Sequence, residues 1–125
     1  MLLRCACLLD VGLFSETYFH TWEDVDLSFR IRARGWTLGW AHTPVIRHHR
    51  SQALGEGSEK TYYLVRNGAR FVREHAPPRA RAWLLACERP RQVWARVRNR
   101  WDVIRALHDA REGVSGPLSA DTDLR

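Results

Sequence analysis

The sequence predicts an α/β domain with few strands, followed by basic amphipathic helices. Two short segments, residues 36–42 and 45–49, have strand-like composition and lie between helical patterns. After Pro77 the chain becomes rich in arginine and tryptophan at helical spacing. A length of 125 residues and a hydrophobic content of 45% allow one domain with a core, or part of one.

The charge of the chain is strongly positive. It carries a formal charge of +6, from 20 basic and 14 acidic residues, and Lys60 is the only lysine. This balance favours anionic partners such as phosphates, nucleic acid or a lipid surface, and it says nothing about the fold.

The first elements are short. Residues 1–4 are predicted to end a buried strand, and residues 5–11 to form a helix closed by Gly12. The apolar start, residues 1–9, is too short to span a membrane and lacks the basic segment of a signal peptide. Three cysteines without a disulfide spacing favour a reducing compartment, so we expect an intracellular, cytoplasmic protein.

A zinc site is an alternative role for two of the cysteines. Cys5 and Cys7 could join His48 and His49 as four ligands. The C-x-C pair lies in an apolar run and the spacing is atypical for zinc, so buried structural cysteines are the favoured interpretation.

A second helix is predicted from about residue 22 to residue 34. Thr21 is its expected N-cap, paired with Asp24 in a capping box. Gly35 is the expected left-handed stop. The next segment, "WTLGWAH", alternates large and small residues as strands do.

The second half is predicted to be largely helical. A helix is expected from Ser58 to about His75, ended by the prolines that follow. Two basic helices, about residues 79–88 and 91–112, are expected on either side of Pro90. The seam that should pack them recurs at steps of three and four: Trp94, Val97, Trp101, Ile104 and His108. These patterns divide the chain into a domain at 1–76, a helical extension at 77–112 and a disordered tail at 113–125.

The arginine- and tryptophan-rich helices have two interpretations. Their arginines can simply be solvated on amphipathic helices that pack on the domain. Alternatively, arginine and tryptophan together suit the surface of an anionic membrane, which would make the protein peripheral on the inner face of the plasma membrane. Nucleic acid is a less favoured partner, because no known nucleic-acid-binding motif accompanies the charge.

Acidic residues concentrate at the start of the second helix, in "TWEDVDLSFRIRARGW". Glu23 and Asp24 can act there by complementing the helix dipole. An outward-facing carboxylate at this position can also act as a general base toward an incoming hydroxyl. Asp24 and Asp26 spell D-x-D, but on a helix residues i and i+2 point in nearly opposite directions and cannot share one metal ion.

Four segments in this order resemble the second half of family 2 glycosyltransferases, especially bacterial rhamnosyltransferase-type enzymes. They are "LLRCACLLDVGLFSETYFH", "EDVDLSFRIRARG", "HTPVIRHH" and "YYLVRN". The resemblance implies a partial GT-A, Rossmann-like fold over residues 1–76. It also implies inverting transfer of a sugar, with rhamnose a candidate, from a nucleotide-sugar donor to a cell-surface glycan or lipid-linked acceptor.

The resemblance assigns roles by position. Asp24 would be the catalytic base that deprotonates the acceptor hydroxyl, with Glu23 and Trp22 binding the acceptor. His48 would help to hold a divalent metal or the diphosphate, although a half-buried strand histidine is an equally good interpretation.

Three further positions match the family pattern. Asp26 and Arg30 would form a structural ion pair, four residues apart on one helix. Arg66 would be mainly structural, with phosphate binding the minority alternative.

The chain also departs from the family. Residues Leu13–Glu16 occupy the position of the family's G-F-D-E motif. This departure bears on the geometry of the loop that binds the acceptor and not on the fold. The family's N-terminal nucleotide-binding half, with the D-x-D motif that binds Mg²⁺ or Mn²⁺, has no counterpart here, so His48 would be the chain's only metal ligand. The sequence is therefore expected to be a truncated fragment, a decayed copy or half of a split enzyme, inactive without the missing half.

Overall fold

The computed structural model describes residues 1–40, 42 and 57–118. Within these ranges the chain forms five helices and no strand. The helices are α1 (Cys5–Val11), α2 (Glu23–Ala33), α3 (Ser58–His75), α4 (Pro78–Val97) and α5 (Trp101–Glu112). The prediction of an α/β domain, and with it the partial GT-A Rossmann-like fold, is therefore wrong for this part of the chain.

The predicted strand at 36–42 fails for a physical reason. A strand needs a neighbour that pairs with its backbone, and residues 36–40 have none in the described ranges. Trp36 instead completes the end of α2, because its backbone N–H donates to Ile31 O and its indole donates to Asp10 Oδ2 at 2.8 Å. Trp40 is 85% exposed, so the alternation buries little. Residues 1–4 form no strand either, and residues 45–49 lie outside the described ranges.

The helices of the first half follow local signals. Gly12 and Gly35 adopt positive φ angles of 83° and 82° at the ends of α1 and α2, as helix-terminating glycines do. The predicted capping box is absent: Trp22 is the N-cap of α2, with φ 74°, and it makes no side-chain cap. The Thr21 hydroxyl is instead an acceptor for Asn67.

The two C-terminal helices divide at a different place from the one predicted. α4 continues through Pro90, which is exposed, so the carbonyl that loses its helical partner can reach water. The break comes after α4, where Asn99 has φ 52°. Consequently the predicted seam is split between two helices, and Trp94, Val97 and Trp101 are exposed.

The main core joins α3, α4 and α5. It contains Ala69, Leu84, Ala95, Val103, Leu107 and Ala110. α3 packs chiefly on α5. This core continues across the predicted boundary at residues 76 and 77.

A smaller core joins α1 to α2 through Cys7, Leu27 and Ile31. Cys7 is buried in this apolar cluster while Cys5 is exposed. The two side chains thus lie in different environments, which agrees with a packing role for Cys7.

A buried carboxylate links the three C-terminal helices. Glu88 of α4 is fully buried and accepts hydrogen bonds from Arg73 of α3 and from Arg111 of α5, at 2.8 and 2.6 Å for the latter. Both arginines remain partly exposed. These two ion pairs therefore offset the free-energy cost of burying the Glu88 carboxylate.

Residues 113–118, predicted as part of a disordered tail, lie against α3. Val114 O and Gly116 O accept hydrogen bonds from Arg70 and Arg66, and the Leu118 N–H donates to the Tyr63 hydroxyl at 2.8 Å. Residues 119–125 lie outside the described ranges. None of the helices in the described part of the chain combines the length and apolar character needed to cross a membrane.

Candidate functional site

The candidate site is the entrance of α2, where Trp22, Glu23 and Asp24 follow one another. Asp24 is exposed in the first turn of the helix. One of its oxygens, Oδ1, accepts the Val25 N–H at 2.8 Å, so that oxygen is engaged with the backbone of the helix. An exposed carboxylate in this position can accept a proton from a hydroxyl that approaches the helix entrance.

The segment before α2 has an unusual backbone. His20 and Trp22 have φ angles of 71° and 74°, in the left-handed region that side chains other than glycine rarely adopt. Each such residue costs roughly 1–2 kcal/mol, so other contacts must hold the turn in place.

Asn67 of α3 supplies those contacts. Its side-chain amide is fully buried and donates to Phe19 O and Thr21 O, both at 2.9 Å, on either side of His20. The amide oxygen accepts from Arg66 Nε at 3.0 Å. We call this group the Asn67 clamp: the Asn67 side chain and its two carbonyl partners. It fixes the strained turn that leads into the acid pair.

The Trp22 ring provides a second attachment to α3. Its indole N–H donates to Leu64 O at 3.2 Å, and its ring lies 5.1 Å from that of Phe71. The ring passes so close to Gly68 that a Cβ there would meet it at 3.0 Å. Glycine at position 68 therefore permits this close approach of ring and helix.

Glu23 is less open than Asp24. Its side chain is half-buried, and its Oε2 is buried without a hydrogen-bond partner among the described residues. Leaving such an atom unpaired is costly, and because it is buried a ligand could donate to it only if neighbouring side chains moved. Of the predicted site residues, Trp22, Glu23 and Asp24 therefore share one location, while His48 lies outside the described ranges.

Arg66 is enclosed by protein. It is 1% exposed, and its guanidinium lies 5.2 and 5.0 Å from the ring centroids of Tyr62 and Tyr63. Its Nη1 donates to Gly116 O at 2.9 Å, and its Nη2 is buried without a partner among the described residues. A phosphate could reach it only if residues 113–118 moved, so the geometry favours the structural role.

The neighbouring Tyr62, on α3, shares a buried polar group with Asp109 of α5. Its hydroxyl donates to Asp109 Oδ2 at 2.7 Å. Burial and this hydrogen bond raise the pKa of Tyr62 to about 12. Burial acts to raise the pKa of Asp109, but hydrogen bonds from Tyr62, Arg105 and His108 outweigh it and lower that pKa.

The Asp26–Arg30 ion pair is present, with Arg30 Nε donating to Asp26 Oδ2 at 2.8 Å. Arg30 also donates to Val11 O and Leu13 O, so it ties α2 to the end of α1 and the loop after it. His75 Nε2 donates to the other Asp26 oxygen at 2.7 Å. Asp26 is buried, and through His75 it links α2 to α3.

One group in the described part of the chain has the spacing of metal ligands: Asp26, Glu74 and His75. Each carboxylate is already engaged, Asp26 by Arg30 and His75, and Glu74 by the Tyr18 hydroxyl. Burial and the Glu74 carboxylate raise the pKa of Tyr18, so this hydroxyl keeps its proton. The Arg30 charge would also repel a cation, so the group does not fit the Mg²⁺ or Mn²⁺ that the resemblance implies.

Sequence reasoning missed the Asn67 clamp and the role of Gly68. The available signal was the pair itself: asparagine followed by glycine is unfavourable in the interior of a helix, so a packing reason for both is expected. Tyr18 and His75 carried no comparable signal, because their partners are far away in the sequence.

Comparisons with known proteins identify no relative of this chain. No family model matches the chain, and neither curated proteins nor solved structures yield a significant match.

Proposed function

We propose that this chain supplies the acceptor side of an inverting glycosyl transfer, with Asp24 as the general base. The observation that supports the proposal is the exposed carboxylate at the α2 entrance, directly after a strained turn that the Asn67 clamp holds. Strained backbone that is held in place by several contacts is common where a protein binds or reacts. Two of the segments that carry the resemblance are in contact here, because Asn67 of "YYLVRN" donates to the turn directly before the acid pair.

The chemistry needs one proton transfer from the acceptor. Asp24 would take the proton of an acceptor hydroxyl as its oxygen attacks the anomeric carbon of the donor sugar. A new C–O bond forms while the bond from that carbon to the nucleotide diphosphate breaks on the opposite face, which inverts the configuration. Glu23, the neighbouring half-buried acid, would accept a hydrogen bond from a second hydroxyl of the acceptor.

In this proposal the sugar donor does not bind to the described residues of the chain. The proposal places a nucleotide sugar, with dTDP-rhamnose as a candidate, on a second polypeptide or on another segment. The acceptor would be a cell-surface glycan or a lipid-linked sugar. The purified chain alone is expected to show no turnover, and a divalent metal would act on the donor side.

The proposal is tested by adding the chain back to an extract. The extract comes from cells in which its coding sequence has been deleted, and it is supplied with labelled nucleotide sugars. The purified chain should restore label transfer into glycan, whereas Asp24→Asn should lower the rate by about 10²–10⁴-fold, as loss of a general base does.

Glu59→Gln is the matched control, because Glu59 is also an exposed acid in the first turn of a helix. It should restore transfer as well as the unmodified chain does. Equal rates for Asp24→Asn and Glu59→Gln would remove Asp24 from the chemistry.

A further inference from the structure

The solvent-facing side of α4 is apolar along its length. Residues 83, 86, 90, 93, 94 and 97 lie on one face of the helix, and all are exposed. Trp83, Val93, Trp94 and Val97 are 70%, 58%, 52% and 79% exposed. The side that faces the core carries other residues, Leu84, Glu88 and Ala95. The exposed stripe is therefore a second apolar face that the packing of the chain does not use.

The exposed surface of α4 is also strongly basic. Six arginines lie within α4 or directly after it, and all are exposed: Arg79, Arg81, Arg89, Arg91, Arg96 and Arg98. No carboxylate in the described part of the chain lies within salt-bridge distance of any of them. The one acid of α4, Glu88, is buried between two other arginines. The arginine charge of α4 is thus available to a partner.

We propose that this face of α4 docks on an anionic lipid bilayer. The helix would lie in the plane of the interface, with its valines in the acyl boundary, its tryptophan rings at headgroup level and its arginines on lipid phosphates. α4 is held by the core on its opposite side, so this binding needs no rearrangement of the fold. The proposal is independent of the transferase assignment.

Charge complementarity distinguishes this partner from others. A duplex nucleic acid would use the arginines, but it offers no apolar surface for a row of Trp83, Val93 and Val97. In a bilayer interface both properties contribute, since arginine heads stay hydrated while apolar side chains leave water.

The experiment uses the full chain and two kinds of vesicle. Sedimentation is measured with vesicles of phosphatidylcholine alone and of phosphatidylcholine mixed with phosphatidylglycerol. The chain should bind the anionic vesicles and should bind the neutral ones far less. At about fivefold per basic side chain near the surface, Arg89→Gln with Arg96→Gln should weaken binding by about 30-fold.

Two comparisons make the test specific. Arg32→Gln with Arg34→Gln removes the same charge from exposed positions on and beside α2, and binding should change by less than about threefold at physiological salt, because screening limits distant charges. Trp83→Ser with Val97→Ser keeps every charge and should weaken vesicle binding while leaving any binding to duplex DNA unchanged. All substituted residues are exposed, so circular dichroism should show an unchanged helical fold.

Three outcomes would overturn the proposal. One is equal binding to neutral and anionic vesicles, or to neither. Another is an equal loss for the α4 and α2 double variants, which would show that only net charge matters. The last is tight, strongly salt-dependent binding to duplex DNA that displaces the vesicles and does not depend on Trp83 and Val97, which would identify nucleic acid as the partner.

Discussion

Asn67→Ala removes the donor that holds the turn before α2. Phe19 O and Thr21 O each lose a hydrogen bond of 2.9 Å, and Arg66 Nε loses its acceptor. Taking about 1 kcal/mol for each of three partners left unpaired in a partly buried site, the free energy of unfolding should fall by about 3 kcal/mol. Asn67→Asp keeps the size of the side chain but places an oxygen against the two carbonyls, so it should cost at least as much.

The assay is urea unfolding followed by circular dichroism at the helix band. With a slope of about 1.5 kcal/mol per molar urea, the midpoint should drop by about 2 M. Lys60→Ala, an exposed substitution on the same helix, should stay within about 0.5 kcal/mol of the unmodified chain. A midpoint for Asn67→Ala equal to that of the control would refute the reasoning, because it would mean that the turn is stable without the clamp.

Three other substitutions have clear expectations. Gly68→Ala should change unfolding free energy by less than ~1 kcal/mol, because better helix propensity offsets the contact with Trp22, but it should shift the indole N–H resonance of Trp22; an unshifted resonance would contradict the close approach. Glu88→Ala should lower the unfolding free energy by about 3 kcal/mol in the same urea assay, which is the low end for breaking a buried ion pair because Arg73 and Arg111 can reach water. A loss below about 1 kcal/mol would contradict the role of Glu88 in linking the helices. Tyr62→Phe should lessen the fall in unfolding free energy above pH 10. The pKa of Tyr62 is about 12 in the folded state and lower, near 10, in the unfolded state. The stabilisation by the Tyr62 hydroxyl is therefore complete below pH 10 and is lost as the pH rises to about 12. Urea midpoints measured across that range should converge for the two proteins, and parallel curves would contradict this linkage.

Local signals predicted the first helices because the residues that end them act through their own backbone. Gly12 and Gly35 end α1 and α2 with positive φ angles, which glycine adopts at little cost, and the prolines after His75 stop α3, whatever the tertiary context. The start of α2 lies within one residue of the prediction, but the predicted capping box is absent, and the turn before the helix is held instead by Asn67, some 46 residues away.

The predicted strand and the predicted break at Pro90 failed for the opposite reason. Alternation in residues 36–42 indicates a strand only if neighbouring strands exist to pair with it, which a single sequence does not reveal. A proline ends a helix when the backbone carbonyl that it leaves unpaired is buried. Pro90 lies on the exposed side of α4, so that carbonyl can reach water and the helix continues. In the candidate site, the acid pair was visible in sequence, but its exposure and the clamp depend on the packing of α3 against the turn.

The most direct test of the central claim, that a sugar acceptor binds at the α2 entrance beside Asp24, is a nuclear magnetic resonance titration of the ¹⁵N-labelled chain with cell-surface oligosaccharides. The account predicts that a bound saccharide shifts the Trp22 indole and the amides of Glu23 and Asp24, and that Asn67→Ala weakens this binding. Saccharides that bind elsewhere on the chain, or that leave all three signals in place at saturating concentration, would contradict it.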